Sequence, residues 1–366
     1  MIILFRANGI FASRVNKYVD YYKKTNRQFK IVGWDRLGEG LKRENYVFFQ
    51  YRTRYVQGGR KAIVAKIKWM RFVYKYLVAH KEEITTVHAC DLDVALPSAL
   101  FKRRYKKDLN IVFDVCDWNS ASGMKGVVKH VFQIAERFTV KQCNQMILCE
   151  PERINQIQFK VPIPVHIMRN IPSFDDTSFL KEETIRPFNN DMVTVAYVGW
   201  FGHGRFIDEL LEYAERGTIN LLIAGFGMAQ IEEHAKKLND SMDTVRFFGK
   251  VDYKFGLQIL NAADLIYAMY CKSIPNHFFA APNKFYESMF LGRAILSTKG
   301  IPLEEKIIKY GTGYAIEESM DDLAYFLEHI SKDELKKKGE DAHAQWPYFS
   351  QLTDQFMNVE YSNIII

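Results

Sequence analysis

Short apolar runs alternate with longer stretches of helical periodicity along the whole chain. In the first half the runs predict strands at Ile2–Phe5, Lys30–Trp34, Tyr46–Gln50, Thr86–Ala89, Asn110–Val115, Gln145–Cys149 and Val165–Met168. In the second half they predict Val193–Val198, Asn220–Ala224, Arg246–Phe248, Leu265–Met269, Ala294–Thr298 and Gly313–Ile316. Between them, apolar positions recur at helical spacing over Arg14–Lys24, Lys61–His80, Val94–Lys106, Gly126–Gln142, Ile207–Arg216, Met228–Leu238, Lys284–Phe290 and Met320–Ile330. Strands that read as continuous apolar runs are buried on both faces. Strand–helix alternation then means parallel sheets covered by helices. The pattern occurs twice, which predicts two doubly wound domains. Pro, Asn and Asp cluster near 171–191, where the connection is expected. Residues 332–360 read as further helix, broken around Trp346-Pro347.

The length of 366 residues fits two domains. No run of about 18 uncharged apolar residues occurs, so no membrane-spanning helix is expected. The N-terminus is apolar only briefly and lacks the basic start of a secretion signal; it reads as a first strand. Five scattered cysteines without C-x-x-C pairing argue against zinc and against a disulfide framework, and point to a reducing cytoplasm.

Charge placement changes the picture more than the net +7 does. Residues 1–110 hold 24 Lys and Arg against 9 Asp and Glu, whereas the remainder holds 26 against 34. A basic first half and an acidic second half imply different partners. No nucleic-acid-binding pattern accompanies the basic clusters, so a solvated face or an anionic membrane surface is expected instead. Lys61, Lys68, Arg71 and Lys75 fall in a narrow arc of the predicted helix 61–80. That helix is expected to be mostly buried, with lying flat on a membrane as the alternative.

The richest segment is Pro282-Asn283-Lys284-Phe285-Tyr286-Glu287, leading through Gly292 into the strand at 294. Asn283, Lys284 and Glu287 are three and four residues apart, so a cation, a carboxylate and an amide project together from one helix. Lys can neutralise diphosphate oxygens, and a carboxylate can accept from two ribose hydroxyls. This segment resembles the donor-sugar site of retaining glycosyltransferases of the GT-B fold, the family 4 group, in its P-N-K-x-x-E form. Val195-Ala196-Tyr197-Val198-Gly199, Leu221-Leu222-Ile223-Ala224-Gly225-Phe226-Gly227, Val245-Arg246-Phe247-Phe248-Gly249 and Ala263-Asp264-Leu265-Ile266 resemble further steps of the same family, in order.

The resemblance implies an α/β GT-B fold of two Rossmann-like domains facing a cleft. An acceptor domain would cover 1–175, a nucleotide-sugar domain 176–340, and a terminal helix over 341–366 would cross back to the first. Arg205 and Lys284 are expected on the diphosphate. Asn8 and Gly9 after the first strand, with Gly199, Gly225 and Gly227, would bring backbone N–H groups to the donor. Phe226, Lys250 and Val251 would lie against the base, and Asn283 and Glu287 would hold the ribose. Asp117 is expected to steer the acceptor, with capping of the next element as the alternative. His88 is expected to be structural, and Asp91 and Asp93 to cap the following helix.

Three positions depart from the family pattern: Trp200 stands where an Arg is usual, Cys116 where a His is usual, and Phe279 where the first Glu of E-x7-E falls. No metal and no cofactor are expected, the nucleotide sugar being a substrate. The expected activity is retaining hexosyl transfer from a UDP- or GDP-linked donor to a lipid-linked or polysaccharide acceptor in surface polysaccharide assembly. A cytoplasmic protein with peripheral contact to an anionic membrane, and no nucleic-acid partner, is expected. A nucleotide-sugar 2-epimerase of the same fold and a non-catalytic partner subunit remain as alternatives.

Overall fold

The computed structural model describes residues 1–53, 60–174, 176–182 and 185–365. The chain divides into two compact units, one formed by 1–169 with 352–366 and the other by 170–351.

In the first unit seven parallel strands form one sheet in the order β3-β2-β1-β4-β5-β6-β7. They are β1 Ile2–Arg6, β2 Phe29–Asp35, β3 Tyr46–Gln50, β4 Thr86–Cys90, β5 Asn110–Val115, β6 Gln145–Leu148 and β7 Val165–Ile167. The helices are α1 Ser13–Lys24, α2 Arg60–Ala79, α3 Leu92–Tyr105 and α4 Gly126–Gln142. Successive strand residues point to opposite faces. Ile3, Phe5, Val87, Ala89, Ile111 and Phe113 pack with Trp69, Val73 and Leu77 of α2, with Val94 and Phe101 of α3, and with Val140 of α4. On the other face Ile2, Leu4, Ile31 and Val112 pack with Val15, Tyr18 and Tyr22 of α1 and with Phe356, Met357, Tyr361 and Ile364. The end of the chain thus completes the core of the first unit.

The second unit holds six parallel strands in the order β10-β9-β8-β11-β12-β13. They are β8 Thr194–Phe201, β9 Asn220–Gly227, β10 Val245–Phe247, β11 Leu265–Ala268, β12 Ala294–Thr298 and β13 Gly313–Ile316. Its helices are α5 Ile207–Ala214, α6 Ala229–Ser241, α7 Tyr253–Asn261, α8 Pro275–Phe278, α9 Asn283–Leu291, α10 Pro302–Tyr310 and α11 Met320–His329. A long α12, Lys332–Gln355, passes from this unit to the other.

Two expectations change. The helix expected to break at Pro347 runs through it, and the irregular turn comes later, as a π-helical segment at Phe356–Tyr361. Side chains flanking the proline hold it in line: Trp346 packs on Phe290 at 5.0 Å, and Phe349 on Tyr286 at 5.5 Å and Tyr310 at 5.1 Å. These contacts offset the lost backbone hydrogen bond that normally kinks a helix at proline. Second, α2 is less buried than its pattern implies, because Ile63, Val64 and Ile67 are exposed beside its basic arc.

Candidate active site

In a doubly wound sheet the ligand crevice lies beyond the strand carboxyl ends, where the strand order reverses. In the second unit that point is between β8 and β11, which are neighbours whose following strands run off in opposite directions. Residues after β8 and β11 therefore meet there. Lys284 sits in the first turn of α9 and brings its ammonium 4.6 Å from the centroid of the Tyr197 ring. A Cβ added at Gly199 would lie 3.2 Å from Lys284 Nζ, so glycine there leaves room for the cation to reach the end of β8.

Arg205 follows β8 and holds its guanidinium 4.5 Å from the Tyr270 ring. Its loop is tied to β11 at two points. Cys271 N–H donates to the Gly204 carbonyl at 2.9 Å, and the Tyr267 hydroxyl donates to the Phe206 carbonyl at 2.7 Å. Gly204 has φ +74°, and a Cβ there would lie 2.8 Å from Cys271 Cβ, so the turn requires glycine. Both cations thus rest on aromatic faces, which attract them while leaving N–H donors free for an anion.

The electrostatics of these groups are coupled. Burial, reinforced by the Arg205 charge, lowers the Lys284 ammonium to a pKa of about 8, with Glu287 opposing. Glu287 is buried, and that burial raises its pKa against the pull of Lys284 and of a hydrogen bond from the Tyr253 hydroxyl. His277, next to the Gly204 turn, is pushed down to about 4 by burial and the Arg205 charge, so its ring is neutral at pH 7. The set combines a guanidinium, an ammonium that titrates near neutrality, a carboxylate and a neutral imidazole. That chemistry suits an anion carried by a polyhydroxylated group.

The other expected donor residues fall into two groups. Trp200 is partly exposed and meets Phe226 edge to face at 5.3 Å, and Lys250 lies 5.2 Å from the Phe226 centroid. These make a half-open aromatic and cationic surface at the carboxyl ends of β8 and β9. Val251 is half-buried against Phe248 and Tyr253 in the core behind it, and Asn283 is exposed. Gly225 and Gly227 answer a packing demand. Cβ atoms there would come within 1.9 Å of the Gly199 carbonyl and 2.1 Å of the Phe201 carbonyl, so glycine lets β8 and β9 approach.

In the first unit the reversal lies between β1 and β4. Asn8 and Gly9 follow β1; Gly9 has φ +61° and its carbonyl accepts from Ala12 N–H at 2.9 Å, starting α1. Arg6, the last residue of β1, has Nε and Nη1 buried without a hydrogen-bond partner among the described residues. Asp91 follows β4 with φ +70°, a conformation sparsely populated by non-glycine residues. Its carboxylate accepts from the backbone N–H groups of Cys116 at 3.0 Å and Asp117 at 3.2 Å. The expected cap on α3 is absent: no side-chain hydrogen bond from Asp91 reaches the helix start. Burial pushes the Asp91 carboxyl up to about 7, with the Arg6 charge opposing.

Asp117 itself is exposed, 3.5 Å from Arg153, and the short helical turn that follows starts from Trp118. Burial raises the Cys116 thiol well above its ordinary range. His88 is structural: its ring lies between the Tyr361 hydroxyl at 2.6 Å and Asp114 at 3.3 Å. His88, Cys90 and Asp114 could present ligand atoms to one metal ion. Arg14 already neutralises Asp114 through Nε at 2.9 Å and Nη2 at 2.6 Å, which leaves that trio poorly suited to a second cation.

Sequence reasoning missed Tyr197, Tyr253, Tyr270, His277, Arg6 and the role of Asp91. A signal existed for several: Arg6, Asp91 and Tyr270 stand at or just past strand ends, where crevice residues collect.

No known family profile and no curated protein sequence matches the chain. Solved structures do. Sucrose-phosphate synthase from Thermosynechococcus elongatus is similar over 99% of both chains, with a TM-score of 0.72 and 12% identity. The lipopolysaccharide outer core galactosyltransferase WaaB covers 99% of this chain and 100% of its own at TM-score 0.60 and 14% identity. A putative UDP-N-acetylglucosamine 2-epimerase from Listeria monocytogenes covers 98% and 97% at TM-score 0.60 and 10% identity. The chain has the GT-B fold. At these identities the likeness establishes the fold, and the chemistry must be argued from the side chains.

Proposed function

We propose that this protein is a retaining glycosyltransferase that moves a hexose-type sugar from a nucleoside diphosphate to a lipid-linked or polysaccharide acceptor. The observation that carries the proposal is the placement of Arg205 and Lys284 on either side of the β8/β11 reversal, each resting on a tyrosine face. As the C1–O bond to the diphosphate breaks, negative charge grows on the leaving oxygens, and fixed cations lower that barrier. Lys284 and Arg205 take this role, so protein cations stand in for a metal. Glu287 accepts from the ribose hydroxyls, and the base lies against Trp200, Phe226 and Lys250. The acceptor hydroxyl attacks C1 on the face the diphosphate leaves and passes its proton to a diphosphate oxygen. Asp117 orients that hydroxyl, and Arg6 offers its unpaired N–H groups to an anionic part of the acceptor.

The test is incubation with UDP-, GDP- and ADP-sugars, with and without a lipid extract as acceptor, followed by NMR of the products. Transfer requires acceptor, releases nucleoside diphosphate and keeps the anomeric configuration of the donor. The likeness to the Listeria protein supports a second reading, 2-epimerisation. An epimerase would convert the donor into its 2-epimer with no acceptor present, and that result would replace the transferase reading.

A further inference from the structure

Helices α2, α3 and α4 cover one face of the seven-stranded sheet, with α3 packed against both others. Each follows a strand of a parallel sheet and runs back along it, so all three begin at the carboxyl edge of the strands. An ion pair supports this register: Lys66 of α2 lies 3.8 Å from Asp93, the second residue of α3. The inner sides of the helices are ordinary core. Their outer sides are unusual in two respects.

First, they expose branched aliphatic side chains. Ile63, Val64 and Ile67 of α2 and Val127, Val128, Val131 and Ile134 of α4 are between 48% and 80% exposed. Six fall in the first halves of their helices and Ile134 at the midpoint of α4, hence toward the same end of the layer. Single exposed aliphatics need no explanation, but seven from two helices at one end do. Second, the charges on these helices are of one sign. Lys61, Lys66, Lys68, Arg71 and Lys75 are exposed on α2, Arg103 and Arg104 on α3, and Arg137 and Lys141 on α4. The carboxylates of the three helices are Asp93 and Glu136, and both are buried. No described helix is long and apolar enough to cross a membrane.

We propose that this end of the α2–α3–α4 layer docks on an anionic lipid bilayer. The aliphatic side chains enter the acyl boundary, and Lys61, Lys66 and Lys68 beside them engage lipid phosphates. Charge complementarity selects this occupant: Lys61, Lys66 and Lys68 flank the aliphatics of α2 at this end, the remaining exposed charges of the three helices are also cations, and none of the three helices shows an exposed carboxylate that anionic headgroups would repel. Long Lys and Arg stems can lie along the apolar patch while their heads reach the phosphates. The docking deepens the reading of the acceptor as lipid-linked, because it holds the first unit at the surface where such an acceptor resides. It is separable from the transfer chemistry, since none of these residues belongs to the donor site.

Vesicle flotation of the full chain at fixed salt tests the proposal. The expected result is at least tenfold more protein bound to vesicles of mixed phosphatidylglycerol and phosphatidylcholine than to phosphatidylcholine alone. Ile67→Ser combined with Val131→Ser should lower binding about tenfold, as should Lys61→Glu combined with Lys68→Glu. Lys23→Glu combined with Lys24→Glu makes the same charge change on α1 and should lower it much less. A Val131→Trp variant should shift its emission to the blue on anionic vesicles, which reports insertion directly. Equal binding to neutral vesicles, equal losses for the α1 and α2 charge variants, or an unshifted Val131→Trp emission overturns the proposal. So does a dimer in light scattering, without lipid, that Ile67→Ser with Val131→Ser dissociates, because the patch then belongs to a second copy. Calorimetry with nucleoside diphosphates in the absence of vesicles reads the donor site separately, so failure of docking and failure of the transferase reading are distinguishable.

Discussion

The ammonium of Lys284 lies 4.6 Å from the centre of the Tyr197 ring, at the end of the strand whose last residues lead to Arg205. Burial and the Arg205 charge bring its pKa to about 8. A diphosphate needs the charged form. Affinity for the preferred nucleoside diphosphate should therefore fall as pH rises through about 8, by about threefold to tenfold between pH 7.5 and 9. Lys284→Arg should bind with little change over that interval, because a guanidinium stays protonated. Calorimetric titrations at several pH values check this. A flat profile for the wild type would show that Lys284 does not meet the anion.

Asp91 gives a stability prediction with a definite sign. Its folded pKa, about 7, is raised above the ordinary carboxyl value of 3.8. The native state thus holds this proton more tightly than the unfolded chain does. The associated stability is fully present below about pH 4 and is lost as pH rises through about 7. Asp91→Asn keeps an oxygen to accept from Cys116 and Asp117 N–H and removes the titration. The variant should gain on the wild type steadily between pH 4 and pH 8 in urea melts. A pH-independent difference between the two would contradict the assignment.

Gly225 should tolerate no side chain. A Cβ would meet the Gly199 carbonyl at 1.9 Å, so Gly225→Ala must push β9 from β8. The expected cost is about 3 kcal/mol, at the upper end of overpacking effects. Gly249 is a useful contrast: it has φ +64° but nothing within 4 Å of an added Cβ. Gly249→Ala should cost only about 1 kcal/mol, from the left-handed backbone. Thermal melts of the two variants compare them.

The chain terminus should matter to the first unit. Tyr361 is fully buried, and its hydroxyl meets both the Tyr22 hydroxyl and His88. Tyr361→Phe leaves two buried polar groups with one partner fewer, at about 1–3 kcal/mol. Tyr361→Ala adds a cavity and should cost about 3–5 kcal/mol. Urea unfolding followed by fluorescence gives both values.

The inner strands were legible because they are buried on both faces and read as near-continuous apolar runs; β5, with Ile111, Val112 and Phe113 in sequence, shows why. The edge strands β3, β7 and β13 are only half-buried and were legible from the flanking turn residues and the strand–helix alternation. The helix at Tyr253–Asn261 was not anticipated, although Asp252 caps it by accepting from Phe255 N–H at 2.9 Å. A nine-residue helix offers too few turns for its periodicity to stand out. The passage of α12 through Pro347 was hidden for another reason: aromatic contacts made far along the chain outweigh the local proline signal. Within the site, Lys284, Glu287 and Arg205 could be found because polar groups at helix starts and loop turns are informative. Tyr197, Tyr253 and Tyr270 could not, because a tyrosine near a strand or helix reads first as core. In sequence Asp91 looks like a cap because Asp before a helix ordinarily is one; its hydrogen bonds to the neighbouring strand end depend on sheet order.

The most direct test of the central claim is a double-mutant cycle on Arg205 and Lys284, read by calorimetry with UDP, GDP and ADP. One diphosphate should bind the wild type, and Arg205→Ala and Lys284→Ala should each weaken it at least tenfold. The combined variant should lose less than the two single losses added, since both cations hold one diphosphate. Wild-type affinity in both single variants, or no binding of any nucleoside diphosphate to the wild type, would contradict the account.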